Sequence, residues 1–259
     1  MTARGRGTLL VAVTAAAIAA ALFAPPFAQP LGYHDFADHR AFLGVPNFGN
    51  VLSNLPFLAV GVAGLWALRP GGRARIVEPL ERFPWLVFFS GVLLTAFGSS
   101  WYHLAPDNQR LLLDRLPMTL AFMGLVCALI AERVRPMLGR ALTMPAVVIG
   151  MASVWYWQWS AAQGAENLMP YLVLQGYAAV MVLLLATLYA PAYTHGRLVF
   201  AVLGWYAVAK LLEWGDPWIY SLGGVVSGHT LKHLASGLAT WWVLRMLMLR
   251  RPESGAVTA

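Results

Sequence analysis

Five residues in this chain have types and spacings that could do chemistry together. Ser99 and His103 close the stretch Gly98-Ser99-Ser100-Trp101-Tyr102-His103, four apart and therefore on one face of a helix. His229 and His233 open another, Ser227-Gly228-His229-Thr230-Leu231-Lys232-His233, with the same spacing. Asp114 stands in Leu113-Asp114-Arg115-Leu116-Pro117-Met118. An i, i+4 histidine pair can place two imidazole nitrogens about 2 Å from one metal ion. Three neutral histidines with a fourth position left open are the ligand pattern of a catalytic rather than a structural zinc site.

Each residue alone has a plainer reading. A single histidine at a helix end is commonly an interfacial group or a partner for a carbonyl. Asp114 could be an N-cap with Pro117 close behind, and Ser99 could bond the carbonyl one turn back. Lys232 could snorkel, and Lys210 and Glu213, three apart, could simply neutralise each other. Only the combination points to a site.

The elements that must position these residues are apolar. The chain is 59% hydrophobic and 11% charged over 259 residues, against roughly a quarter charged in soluble domains. Apolar segments fall at about 8–24, 50–68, 84–103, 116–131, 142–159, 169–190, 197–214 and 228–248, punctuated by Pro25-Pro26, Pro70-Gly71-Gly72, Pro191 and Gly223-Gly224. Each is about long enough to cross a hydrocarbon layer of ~30 Å. The fold class expected is all-α integral membrane. The formal charge of +7 comes from arginines in short connections, with no basic polar helix to track phosphates, so no nucleic-acid partner is expected. The one cysteine, Cys127, excludes an intramolecular disulfide.

Alternate connections carry the arginines. One set holds Arg4, Arg6, Arg69, Arg73, Arg75, Arg82, Arg133, Arg135, Arg140, Arg197, Arg245, Arg250 and Arg251, and the other only Arg40, Arg110 and Arg115. That asymmetry predicts both termini in the cytoplasm. It also puts the end of the third segment and the starts of the fourth and eighth on the opposite side, so all five residues fall at one depth. Trp155, Trp157 and Trp159 are expected at the same outer interface. Residues 1–30 read as an N-terminal anchor, with a cleaved signal peptide as the alternative, 31–250 as the membrane domain, and 251–259 as a cytoplasmic tail.

At these residues the sequence resembles the alkaline ceramidases, within the membrane hydrolase superfamily that also holds the adiponectin receptors. Four stretches match in order: Asn50-Val51-Leu52-Ser53-Asn54, Gly98 to His103, Leu113 to Met118, and His229 to His233, within residues 33–248. The resemblance implies a seven-transmembrane-helix bundle, here with one extra N-terminal segment. It implies zinc on His103, His229 and His233, with Ser99 and Asp114 as the catalytic pair. It further implies a calcium site at Asp35, Asp38 and Asn47. Only two carboxylates remain there, and Asn47 stands where the family pattern has a glutamate, so a solvated loop is the alternative.

The activity implied is hydrolysis of a lipid amide such as ceramide. The residues suit it: zinc activates water near neutral pH, Asp114 can carry its proton to the leaving amine, and Ser99 can donate to the developing oxyanion. The alternative is a lipid-responsive receptor or accessory protein whose zinc is structural, and Ser99 and Asp114 favour the enzyme. A transporter needs carboxylates through mid-bilayer, and none are seen. The partners expected are a lipid amide substrate and the bilayer, in a bacterial inner membrane with the site facing the periplasm. The sequence does not fix the oligomeric state.

Overall fold

The computed structural model describes residues 1–253. The part of the expected tail beyond residue 253 lies outside the described residues. Ten α-helices account for the architecture, and among the described residues there is no strand. They are α1 (Ala3–Phe23), α2 (Phe48–Leu52), α3 (Leu55–Leu68), α4 (Arg82–Leu104), α5 (Asn108–Arg133), α6 (Pro136–Ala162), α7 (Met169–Leu188), α8 (Val199–Trp214), α9 (Asp216–Ser221) and α10 (Gly228–Leu249). Six stretches are long and apolar enough to cross a membrane: α1, α2 with α3, α4 with the short turn before it, α5, α6 and α7.

The fifth helix runs well past its apolar segment, because capping extends it into residues that hydropathy leaves out. Asp107 caps α5 by accepting the Arg110 amide, so the helix begins well before the apolar run and Asp114 lies in its second turn. The segment at 50–68 is two helices. Ser53 and Asn54 break it ahead of Pro56, and the turned-out Ser53 hydroxyl becomes available to a neighbour.

The packing that matters for the site is between α4 and α5, and of α10 against α3 and α8. Gly98 lies where a Cβ would overlap the Leu113 carbonyl, so α4 and α5 approach closely just where Ser99 and Asp114 must meet. Gly228 lies equally tight against Leu212 and Asp216 at the start of α10. One core, including Trp85, Phe89, Leu129, Leu185 and Leu247, fills one end of the bundle. A second, aromatic cluster of Phe36, Tyr102, Trp157 and Tyr171 fills the other.

α1 contributes no buried residue and packs on α7, tied by a Thr14–Tyr177 hydroxyl contact of 3.1 Å and by Arg6 donating to the Leu188 carbonyl at 2.8 Å. At the other end of α5, Arg250 is fully buried, with its Nη1 2.5 Å from Glu132 Oε2 and its Nη2 3.3 Å from Glu81 Oε2. That cluster clamps α4, α5 and α10 together at the end away from the histidines.

Candidate metal centre

The C-terminal turn of α4 and the N-terminal turns of α10 bring His103, His229 and His233 together. One nitrogen from each lies within 4.8 Å of the others, and all three rings are buried. Nε2 of His103 and Nε2 of His229 stand 3.3 Å apart. Two imidazole lone pairs at that separation repel unless a proton or a cation sits between them. With no carboxylate in the group, and three imidazoles that hold the least charge when neutral, a metal cation fits it.

The surroundings orient these rings. Ser53 donates its hydroxyl proton to the Asn50 carbonyl at 3.1 Å, and His233 Nδ1 stands 2.8 Å from the same oxygen. The Nδ1–H of His233 therefore donates to Ser53, which leaves the Nε2 lone pair free to ligate. Asn50 in turn accepts the Thr230 hydroxyl at 2.9 Å, and Ser227 caps α10 by accepting the Thr230 amide. Asp216, at the first turn of α9, accepts the His229 amide at 2.7 Å and the Ala37 amide at 2.9 Å. Phe36 lies over the group, with ring centroids 4.7 Å from His103 and 4.3 Å from His229. The Nδ1 atom of His103 has no partner among the described residues, and Asn47 holds that residue by its carbonyl instead.

Ser99 and Asp114 are both buried, and they line one cavity together with His233 and Lys232. The Ser99 hydroxyl faces the Asp114 carboxylate, and Lys232 and Arg115 are the cations whose field reaches it. The cavity, ≈ 150 Å³, is apolar beyond this end, running between α4, α5, α7, α8 and α10 past Phe122, Leu125, Val182 and Val202. Along α5 it extends from Asp114 to Leu125, a rise of about 16 Å at 1.5 Å per residue. The charged residues of the wall, Asp114 and Lys232, thus stand with Ser99 and His233, and the remainder is mostly apolar with Thr95, Gln175 and Thr240 interspersed.

Each of the three residues of the expected calcium site has a protein partner. Asp38 is buried but engaged by Arg40, whose Nε and Nη2 reach its two oxygens at 2.8 Å each. That guanidinium holds the Asp38 carboxyl below its ordinary 3.8. Asp35 is exposed and faces His39, and Asn47 points its amide at the His103 carbonyl.

Four plainer readings change. Asp114 is not the N-cap of its helix, because Asp107 is. Thr95, not Ser99, bonds a carbonyl one turn back, donating to Gly91 at 2.8 Å. Lys232 turns inward to Glu213 Oε1 at 2.8 Å rather than snorkelling. Trp157 is fully buried beside Arg115 and bonds Glu166, while Trp155 and Trp159 are exposed.

Sequence reasoning assigned no role to Ser53, Asp216 or Phe36. The Asp216-Pro217 dipeptide after Gly215 carried a turn signal for the second, whereas the other two act across helices that spacing cannot relate. No family model matches the sequence, and no curated protein matches it either.

Proposed function

We propose that this protein is a zinc-dependent intramembrane hydrolase of lipid amides, with ceramide-like N-acyl linkages as substrates. The observation that carries the reading is the shared end of one apolar cavity, where His233 of the histidine group stands with Ser99 and Asp114. In the bilayer, α8 and α10 complete with the six apolar stretches a seven-helix bundle plus the anchor α1. The arginine asymmetry supports cytoplasmic termini and a site facing the periplasm. The three buried imidazoles, without a thiolate or carboxylate, suit zinc.

A zinc ion held by His103, His229 and His233 would supply Lewis acidity at neutral pH. The chain's own residues do the rest. The cavity binds the acyl chain and excludes bulk water from the amide. Asp114, in contact with Ser99 and free of a capping role, accepts a proton from the attacking water and delivers it to the amide nitrogen as the C–N bond breaks. The water oxygen ends on the acyl carbon, giving a fatty acid and an amine. Ser99 orients Asp114 in the resting site and donates to the oxyanion as charge develops on the carbonyl oxygen. Ser53 and Asp216 hold His233 and His229 in place.

The test is metal analysis of detergent-purified protein, followed by a panel of N-acyl lipids assayed for release of fatty acid. About one zinc per chain, lost in a His229→Ala, His233→Ala double variant, together with amide hydrolysis, is the expected result. Zinc bound without hydrolysis of any amide would move the reading to a lipid-responsive receptor with a structural zinc. Reporter fusions after Arg69 and Asp107 should read cytoplasm and periplasm, and the reverse pattern refutes the topology.

A further inference from the structure

The cavity wall carries a charge that the hydrolytic chemistry leaves idle. The Lys232 ammonium lies 2.8 Å from Glu213 Oε1 and 3.4 Å from Nε2 of His229, and it lines the cavity with Ser99 and Asp114. Glu213 is shared, because its other oxygen lies 2.8 Å from Lys210 Nζ. One carboxylate therefore faces two ammoniums, one on the cavity wall and one at the outer rim, where the Lys210 side chain is 47% exposed. The group carries a surplus positive charge in apolar surroundings. Such a surplus is costly unless something compensates it.

Asp114 is the other charged residue on that wall, and it brings the four groups to neutrality. The histidines add no charge when neutral. A divalent cation among them then makes the loaded site positive, and neither a neutral amide nor an amine product offsets that charge. A sphingoid base leaving as an ammonium would be repelled by Lys232. An anionic substituent would be attracted. Its place is also set: an ion on Lys232 lies within a few ångströms of His229, and so next to the amide that reacts, while the apolar remainder of the cavity takes one acyl chain.

We infer that the substrate carries a carboxylate on the carbon attached to the amide nitrogen, as in a long-chain N-acyl α-amino acid, and that Lys232 is the specificity residue that binds it. This narrows the lipid amide of the hydrolase reading and rests on that reading. On binding, the carboxylate accepts from Lys232, and Glu213 keeps Lys210 as its partner. Hydrolysis then releases a fatty acid and a zwitterionic amino acid, whose carboxylate offsets its new ammonium beside Lys232.

The test uses zinc-loaded full-length protein in detergent with three substrates of one acyl length: N-dodecanoyl-alanine, its uncharged methyl ester, and N-dodecanoyl-sphinganine. The acid should exceed the ester in kcat/KM by about tenfold or more, mostly through KM, as one charge-assisted bond provides. Lys232→Met should bring that ratio close to one with zinc content retained, and Lys232→Arg should keep it. Hydrolysis of the ester and the sphinganine amide without preference for the acid overturns this inference and leaves the hydrolase reading standing. Hydrolysis of none of the three, nor of any other amide, sinks the hydrolase reading. Calorimetric binding of the acid and the ester then decides for the anion site. Tighter binding of the acid by wild type, abolished in Lys232→Met, sustains it, and equal affinities refute it. The wild-type acid-to-ester comparison needs no variant to fold.

Discussion

Replacing Ser53 with alanine isolates the orientation of a ligand from the ligand itself. The Ser53 oxygen is 2.8 Å from Nδ1 of His233, and its removal leaves that buried N–H without a partner and the ring without a fixed tautomer. Losing an outer partner of a ligating histidine weakens metal binding about 10- to 100-fold, or about 1.4–2.7 kcal/mol. The loss should not unfold the protein. The Asn50 carbonyl that accepts from Ser53 also accepts from Asn54 Nδ2 at 2.9 Å, so it stays satisfied, and the one buried N–H left unpaired costs about 1–3 kcal/mol. The assay is zinc competition against a chromophoric chelator, with the helical circular dichroism of the metal-free protein as control. Wild-type zinc affinity in folded Ser53→Ala would refute the assignment of Nδ1 to Ser53, and with it ligation through Nε2.

Asp114→Asn should keep zinc and melting temperature and lose most amide turnover, because the amide cannot accept the proton; Asp107 already caps the helix, so near-wild-type turnover would remove Asp114 from the chemistry. Ser99→Ala should also keep zinc and lose on the order of 10²-fold in kcat. Arg250→Ala leaves buried Glu81 with only the Tyr193 hydroxyl and Glu132 with only Arg133, and a loss approaching about 3 kcal/mol in unfolding free energy is expected; a change below about 1 kcal/mol would contradict a paired, buried guanidinium. Asp38 is held below its ordinary 3.8 by Arg40, so it stabilises the fold above that pH and the contribution fades as pH falls further. Melting temperature should drop below about pH 4 in wild type, and Asp38→Asn should lower it at neutral pH and flatten that limb. Because Arg40 occupies the Asp38 carboxylate, calcium chelation should leave the zinc-bound melting temperature unchanged, and a shift of several degrees would restore the calcium site.

The histidine group was legible in the sequence because a helix makes spacing into geometry. His229 and His233 are one turn apart on α10, and Ser99 and His103 one turn apart on α4, so each pair shares a face whatever the helix packs against. Hydropathy located the apolar helices for the same reason of scale, since a bilayer sets their length. Their ends were less legible, because capping by Asp107 and Ser227 is decided by single hydrogen bonds outside the apolar run. The break between α2 and α3 was hidden because its residues, Ser53 and Asn54, sit inside an otherwise continuous apolar stretch.

Contacts between helices follow a different rule, and Lys232 shows why spacing misjudged it. On α10 alone, a lysine near the membrane boundary has no reason to turn inward, and extending to water is the cheapest choice for an isolated helix. The inward turn is caused by Glu213, which α8 delivers to the same depth in antiparallel packing and which already holds Lys210. Arg115 is a parallel case on α5. It is buried, its Nη2 is 2.5 Å from Gln29 Oε1, and it lies 4.5 Å from the Trp157 ring centroid, with its Nη1 unpartnered among the described residues. Arg40, by contrast, is bound to Asp38, two residues away in its own segment. Lys232 and Arg115 are the two cations beside Asp114, and Lys232 also stands 3.4 Å from Nε2 of His229. Both cations are held by residues of other segments, Lys232 by Glu213 of α8 and Arg115 by Gln29 and the Trp157 ring of α6, so spacing along one helix could not have placed either of them.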